Sequence, residues 1–400
     1  MTRKEQYRNL AHRQHDRETE RKNLAAGRGP MDLPFLLLTL LLTVIGLVML
    51  FSASFPFASF ENGDPAYYLK RQGLFAVLGV IGMLVAARFN YQRLRGVARI
   101  LLAISIFLLI LVIIPGNPIA LTRNNATRWL GVGSASFQPS EIAKLAVIIF
   151  FADSISKKKD KMRTFRYGIV PYVAILGVIA GLMMAEPHLS GTILIVATGA
   201  VMMAVGGLPG WLVGAGLGGG ALAAALFVKL SLAGKIPYGA DRIAMWRDPW
   251  LDPLDEGFQM CQSLIAIGSG GLLGVGLGKS RQKFLYLPER HNDFIFSVVC
   301  EELGLIGACL IMLIFVLLIL RGFWIALQAR DRFGTLLAVG VTTHLGLQTF
   351  LNIAVVSGLV PATGISLPFF SYGGTALTLQ LVEMGIVLSV SRQIPAPRAG

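Results

Sequence analysis

The feature that most constrains this chain is a recurrence of apolar stretches about as long as a bilayer is thick. A helix needs roughly 20 mostly apolar residues to cross a hydrocarbon core of about 30 Å. Runs of this kind, separated by charged or Gly- and Pro-rich breaks, fall near residues 33–53, 73–89, 98–114, 139–155, 167–184, 189–206, 209–231, 293–320, 334–357 and 370–390. With 54% hydrophobic and only 14% charged residues, the 400-residue chain has too little polar surface for water to be its solvent. The expected fold is an all-α polytopic membrane protein of about ten transmembrane helices. The first run follows a polar tail and is longer than a signal-peptide core, so it reads as a retained anchor and first span.

A net charge of +14 raises the question of nucleic acid, and the distribution of the cations answers it. They cluster beside alternate span ends: Arg3 to Arg28 in the tail, Arg88 to Arg99, and Lys157 to Arg166. By the positive-inside rule these segments are cytoplasmic, and an even number of spans puts both termini there. The expected organisation is a basic, disordered cytoplasmic tail over residues 1–30, a transmembrane domain over 31–392, and a cytoplasmic tail over 393–400. Between the seventh and eighth helices lies a long extracellular loop, 232–292. It holds Lys235, Arg242, Arg247, Lys279, Arg281, Lys283 and Arg290 on a face the rule leaves poor in cations, which suggests an anionic ligand there. The three cysteines form no metal-ligand pattern and read as packing residues.

Ionisable groups at membrane depth are costly, so each is a functional candidate. Glu141 and Lys144 share a face at the start of the fourth span, behind Pro139 at a first-turn position. They form either an ion pair that makes burial tolerable or the lining of a polar cavity. Asp293 sits where the eighth helix begins, as an N-cap or as a general base. Glu301 and Glu302 lie about two turns deeper, where one of them reads as an anchor for a neighbouring helix, with direct catalysis as the alternative. The glycines of Gly268 to Lys279 fail the phosphate-loop spacing, since position 273 is leucine, and read as tight turns. The run Gly364 to Thr375, with Asn352 and Pro361 before it, places broken backbone between the last two spans, tolerated only if buried in protein or lining a wet cavity.

Several long motifs resemble the SEDS family, the shape, elongation, division and sporulation proteins that include FtsW and RodA. They are Arg128-Trp129 followed by QPSE-x-x-K (Gln138 to Lys144), EPHLSG (Glu186 to Gly191), FQMCQSLIAIGSGGLLGVGLG (Phe258 to Gly278), YLPERHNDFIFSVVCEELGLIG (Tyr286 to Gly307) and GISLPFFSYGGT (Gly364 to Thr375). SRQKFLYLPE and EPHLSG look closer to the FtsW and sporulation branch. The resemblance implies a ten-span fold in the bacterial cytoplasmic membrane and polymerisation of lipid II, a disaccharide-pentapeptide on polyprenyl pyrophosphate, into peptidoglycan strands. It also implies a class B penicillin-binding protein as partner, along with other division or elongation proteins and membrane lipids. The family's catalytic aspartate maps onto Asp293. Asn292 stands where the family has Thr, which affects local hydrogen bonding.

The chemistry suits these residue types. Moving a sugar from an α-linked pyrophosphate onto a hydroxyl to give a β-linkage can be one inverting displacement, with a single carboxylate as base and cations stabilising the leaving diphosphate. Asp293 is the expected base. The expected substrate-binding residues are Arg128, Glu141, Lys144, His188, Arg281, Lys283, Glu289, Arg290, His291, Ser366 and Ser371, with Arg242 a more distant candidate for the diphosphate. Glu301, Glu302, Pro139 and Pro368 are expected to be structural, and a divalent cation, Mg or Mn, is a candidate cofactor. Two other readings stay open on sequence alone: a lipid II flippase, and a scaffold that activates a transpeptidase.

Overall fold

The computed structural model describes residues 29–123, 126–132, 135–232, 240–284 and 286–393. Nearly all of the expected tails, 1–30 and 393–400, and part of the long loop lie outside the described residues. The bundle is built from α1 (Leu33–Asn62), α2 (Tyr67–Arg88), α3 (Leu94–Ile113), α4 (Pro139–Lys158), α5 (Val170–Ala185), α6 (Leu189–Val205), α7 (Gly210–Leu232), α10 (Ile295–Gln328), α11 (Arg332–Val356) and α12 (Gly374–Ser391), with α8 (Ala240–Arg247) and α9 (Phe258–Gly270) in the long loop. Among the described residues seven helices are long and apolar enough to cross a membrane: α1, α2, α3 with the turn before it, α5 with the turn before it, α10, α11 and α12. α6 is apolar but shorter.

The caps explain several boundaries. Asp32 accepts from Phe35 N at 3.0 Å to start α1. That helix continues past residue 53, through Pro56, to Asn62, where Gly63 closes it in the left-handed region. α11 starts on Asp331, whose Oδ1 accepts from Phe333 N and Gly334 N at 2.9 and 3.0 Å. The same carboxylate takes Tyr91 Oη and Gln92 Nε2 at 2.5 Å each, tying the turn before α3 to α11 at the basic end of the bundle.

Burial separates the centre from the periphery. In α11 and α12, 72% and 61% of the apolar window is buried, against 22–39% in α1, α2, α3, α5 and α10. The outer helices turn apolar side chains such as Leu37, Val77, Phe107 and Leu313 away from the protein. That is the arrangement expected where lipid is the solvent.

The all-helical expectation needs one correction. Within residues 115–138 lies a three-stranded antiparallel sheet in the order β1 (Ala120–Arg123), β2 (Ala126–Val132), β3 (Ala135–Phe137). Leu130 pairs with Ala120 on one side and Phe137 on the other. The strands hold Thr122, Thr127, Trp129, Val132 and Phe137, residue types that favour extended backbone, and the hydroxyls of Thr122 and Thr127 meet at 2.7 Å.

The described part of the long loop carries α8 and α9 and is tied to the bundle by backbone hydrogen bonds. α9 packs on α10, and the glycines that follow pair with a break inside α10 at Gly304, whose φ is +66°. Val275 N and Gly276 N donate to Glu301 O and Glu302 O, each at 3.0 Å, while Leu305 N and Ile306 N donate to Gly271 O and Leu272 O at 2.9 and 3.1 Å. These bonds replace those an interrupted helix loses.

Candidate active site

A cavity of about 560 Å³ opens at the end of the bundle opposite the Arg88–Arg99 and Lys157–Arg166 segments. α2, β2, the start of α4, the turn before α6, the residues before α10 and the loop before α12 all contribute to its wall. It brings together Asp293, Arg128, Glu141, Lys144, His188, Glu289, His291 and Ser366 from the expected set.

Asp293 precedes α10. The residue at the N-cap is Phe294, and no side chain caps that end, so Asp293 is not used for capping. Its carboxylate faces the cavity beside Gly364. Burial pushes its pKa up to about 7, with the Glu289 charge adding to the rise and Arg128 opposing it. A carboxyl poised near neutral pH suits a general base. Asn292 donates to Glu289 Oε2 at 2.5 Å, which shows where the side chain at this unusual position goes.

Glu141 and Lys144 combine both readings of their spacing. Lys144 Nζ lies 2.8 Å from Glu141 Oε1, and both residues line the cavity. α4 begins at Pro139, a position where a missing N–H costs nothing.

Arg128, on β2, donates through Nε to Glu186 O at 3.1 Å and through Nη2 to Pro187 O, which fixes the sheet to the turn between α5 and α6. Both carboxylate oxygens of Glu186 are buried without a partner among the described residues. Burial raises its pKa to about 8 against the pull of Arg128, so the group is largely a neutral acid at pH 7 and avoids the cost of an enclosed charge. Burial also pushes His188 down to about 3, with Arg128 and Lys144 adding to the effect, and His291 down to about 4. Both imidazoles are therefore neutral, offering hydrogen bonds and no charge.

The other expected cations go elsewhere. Lys283 is fully buried, 2.8 Å from Glu302 Oε1 and 3.2 Å from Ser52 Oγ, so its charge is used within the fold rather than at the cavity. Arg290 is packed over Phe57 at 4.8 Å, with Nη1 donating to Leu287 O at 3.1 Å. Arg281 is a backbone donor to Glu301 Oε1 at 2.8 Å, and its exposed side chain is not part of the cavity wall. The Arg242 side chain lies outside the described residues. Glu301 and Glu302 hold the 280–283 turn against α10, and Glu302 also accepts from Ser52 Oγ of α1 at 2.6 Å.

Ser371 points at backbone, donating to Asn292 O at 2.7 Å, while Gln348 Nε2 holds Ser366 at its carbonyl, 3.0 Å, and its hydroxyl, 3.2 Å. Pro368 is buried in the loop before α12, which wedges against α1 where Gly46 leaves room for Phe369 O. Sequence reasoning missed Arg71 as a cavity residue; its Nη1 donates to Tyr67 Oη at 2.8 Å. The signal for it was a cation pair, Lys70-Arg71, in a segment expected to face outward.

Fold and site together define a membrane-embedded helical bundle with a charged cavity at one end. The family model for the FtsW, RodA and SpoVE cell cycle proteins matches residues 32–395. Stage V sporulation protein E of Bacillus subtilis (strain 168) is 45% identical over 362 residues, covering 90% of this chain and 97% of the relative. The probable peptidoglycan glycosyltransferase FtsW of Geobacter sulfurreducens is 43% identical over 91% of this chain and 95% of its own length. Among solved structures, a chain of a peptidoglycan synthase complex that coordinates polymerization and crosslinking superposes with a TM-score of 0.74, at 29% identity over 90% of this chain and 98% of that one. The rod shape determining protein RodA of Thermus thermophilus gives 0.66, at 27% identity over 92% of this chain and 98% of that one. The chain belongs to the FtsW, RodA and SpoVE family.

Proposed function

We propose that this chain polymerises lipid II at the outer face of the cytoplasmic membrane, with Asp293 as the general base. It is a peptidoglycan glycosyltransferase of the FtsW and SpoVE kind, acting in division or sporulation wall synthesis. The observation that carries the Asp293 assignment is a carboxylate facing a cavity that also holds Arg71, Arg128 and Lys144. In this reading Asp293 accepts the proton of the acceptor GlcNAc 4-hydroxyl as that oxygen attacks the donor anomeric carbon. The C1–O bond to the diphosphate breaks with inversion, and the leaving charge is met by the cavity cations. Arg281, Lys283 and Arg290 are not assigned to that role, because none of them lines the cavity. Glu289, His188, His291 and Ser366 are assigned to hold substrate by hydrogen bonds.

Among the described residues no three His, Cys, Asp or Glu side chains gather in a way that would hold a metal ion. Of the cavity's three carboxylates among the described residues, Glu141 bonds Lys144 and Glu289 bonds Asn292, so the donors there do not fit a protein-held divalent cation.

The topology that goes with this mechanism has ten spans, the seven apolar helices together with α4, α6 and α7, and both termini in the cytoplasm. The basic segments at the end opposite the cavity support that orientation. A class B penicillin-binding protein is the expected partner, supported by the likeness to a chain of a peptidoglycan synthase complex. The test is to give purified protein labelled lipid II in detergent, with no second compartment. A polymerase makes glycan strands there. A lipid flippase yields none, and that outcome would contradict the proposal.

A further inference from the structure

The three residues that end at Asp293 are held by their backbone, and the holding groups come from distant parts of the chain. His291 O accepts from Tyr372 N at 2.8 Å. Asn292 O accepts from Ser371 Oγ at 2.7 Å, and Asp293 O from Asn352 Nδ2 at 2.7 Å. Three successive carbonyls are thus fastened to α11 and to the loop before α12.

The fastening groups are themselves fixed. Asn352 is fully buried, and its amide nitrogen also donates to Ile365 O at 2.6 Å, so one NH₂ group staples the Asp293 backbone to the loop. The Ser371 hydroxyl accepts from Leu367 N at 2.7 Å while it donates to Asn292 O, which uses both of its functions. Gln72, 1% exposed on α2, brackets the same loop: Nε2 donates to Ser371 O at 3.1 Å and Oε1 accepts from Gly373 N at 3.1 Å.

None of these three side chains bonds the Asp293 carboxylate. Side chains that hydrogen-bonded the carboxylate itself would stabilise its charged form and weaken it as a base. Groups that hold only the main chain fix where the acid stands and leave its proton affinity alone. Placement matters, because a misplacement of about 1 Å can cost on the order of 10²-fold in rate.

We propose that Asn352, Ser371 and Gln72 are positioning residues that set the location of the Asp293 carboxylate in the cavity. The inference rests on the reading of Asp293 as base. The experiment compares the purified full-length chain with Ser371→Ala, Ser371→Thr and Gln72→Met, measuring glycan formation from lipid II across substrate concentration and pH. Ser371→Ala is expected to lose about 10- to 100-fold in kcat, with KM changed less than about threefold. The acid limb of its pH profile stays in place, because the substitution removes no group that bonds the carboxylate and no charge beside it. Ser371→Thr, which retains the hydroxyl, recovers most of the rate.

Wild-type kcat in Ser371→Ala, or equal loss in the Ala and Thr variants, overturns the proposal. If Ser371→Ala fails to fold, Gln72→Met decides: it is of similar length, adds no charge, and removes both the donor to Ser371 O and the acceptor for Gly373 N. A kcat loss at constant KM is expected there, and unchanged kcat overturns. Asp293→Asn in parallel separates the two failures. Full activity of that variant refutes the base itself, whereas an inactive Asp293→Asn beside a fully active Ser371→Ala refutes only the positioning role.

Discussion

Gly364 packs against the Asp293 carboxylate so closely that a β-carbon at position 364 would stand 3.3 Å from Oδ2. Its φ of +69° lies in the left-handed region, which costs a residue with a side chain roughly 1–2 kcal/mol. Gly364→Ala therefore both strains the loop and crowds the base. We expect a protein that folds and inserts, with polymerisation reduced about tenfold or more. Steady-state glycan formation together with a melting curve checks this; wild-type rates would show that the contact is not needed.

The pH dependence follows from the raised pKa of Asp293. The carboxylate is the active form, so activity is expected to rise as pH increases through about 7 and to fall below it. An ordinary carboxylate would put that limb near 4. The neighbours give signs that can be read separately. Glu289 raises the pKa, so Glu289→Gln moves the limb to lower pH; Arg128 lowers it, so Arg128→Ala moves the limb to higher pH. A profile of kcat/KM against pH for the three proteins checks both directions.

Lys283 and Glu302 are fully buried, and Ser52 bonds both of them. Breaking such a pair from one side leaves an uncompensated charge and costs about 3–5 kcal/mol, whereas replacing both partners with apolar residues of similar size is often close to neutral. Lys283→Met alone is expected to lower the melting temperature sharply, and the double variant Lys283→Met with Glu302→Leu to recover part of it. If Lys283 instead met the substrate, Lys283→Met would raise KM in a protein of unchanged stability.

Arg71 is the cavity cation that charge counting did not single out. Arg71→Ala is expected to weaken handling of the diphosphate-bearing donor, with kcat/KM falling about tenfold or more. Melting should change little, because the side chain is exposed. Initial rates at low lipid II concentration check this.

Much of the frame was legible because lipid imposes a length rule on spans and a charge rule on their ends. The ten runs of apolar sequence coincide with ten helices, although among the described residues seven of these meet the length and hydropathy needed to cross. The α4 helix shows why the others are harder to judge. It carries Glu141, Lys144 and Asp153 and is mostly enclosed by neighbours, so its composition is tuned to protein rather than to lipid. Spacing also put Glu141 beside Lys144, since residues three apart on a helix are neighbours.

What sequence could not supply was direction. Arg281, Lys283 and Arg290 sit within one charged segment, yet a count of cations does not tell which turn inward. Lys283 is claimed by Glu302, 19 residues away, through a fold that no local pattern encodes. The backbone grip on Asp293 was hidden for the same reason: Asn352 stands 59 residues from it, and Gln72 reaches Ser371 across 299. The sheet that carries Arg128 lies between the third and fourth apolar runs, and its strands of 4, 7 and 3 residues carry none of the span-length signal that marks the helices.

The most direct measurement is the rate of glycan formation by purified Asp293→Asn, at saturating labelled lipid II and pH 8, beside wild type. The substitution keeps shape and removes the proton acceptor, so a loss of about 10²- to 10⁴-fold is expected with the protein folded and its melting temperature retained. Glycan strands made at the wild-type rate by that variant would contradict the assignment of Asp293 as the base.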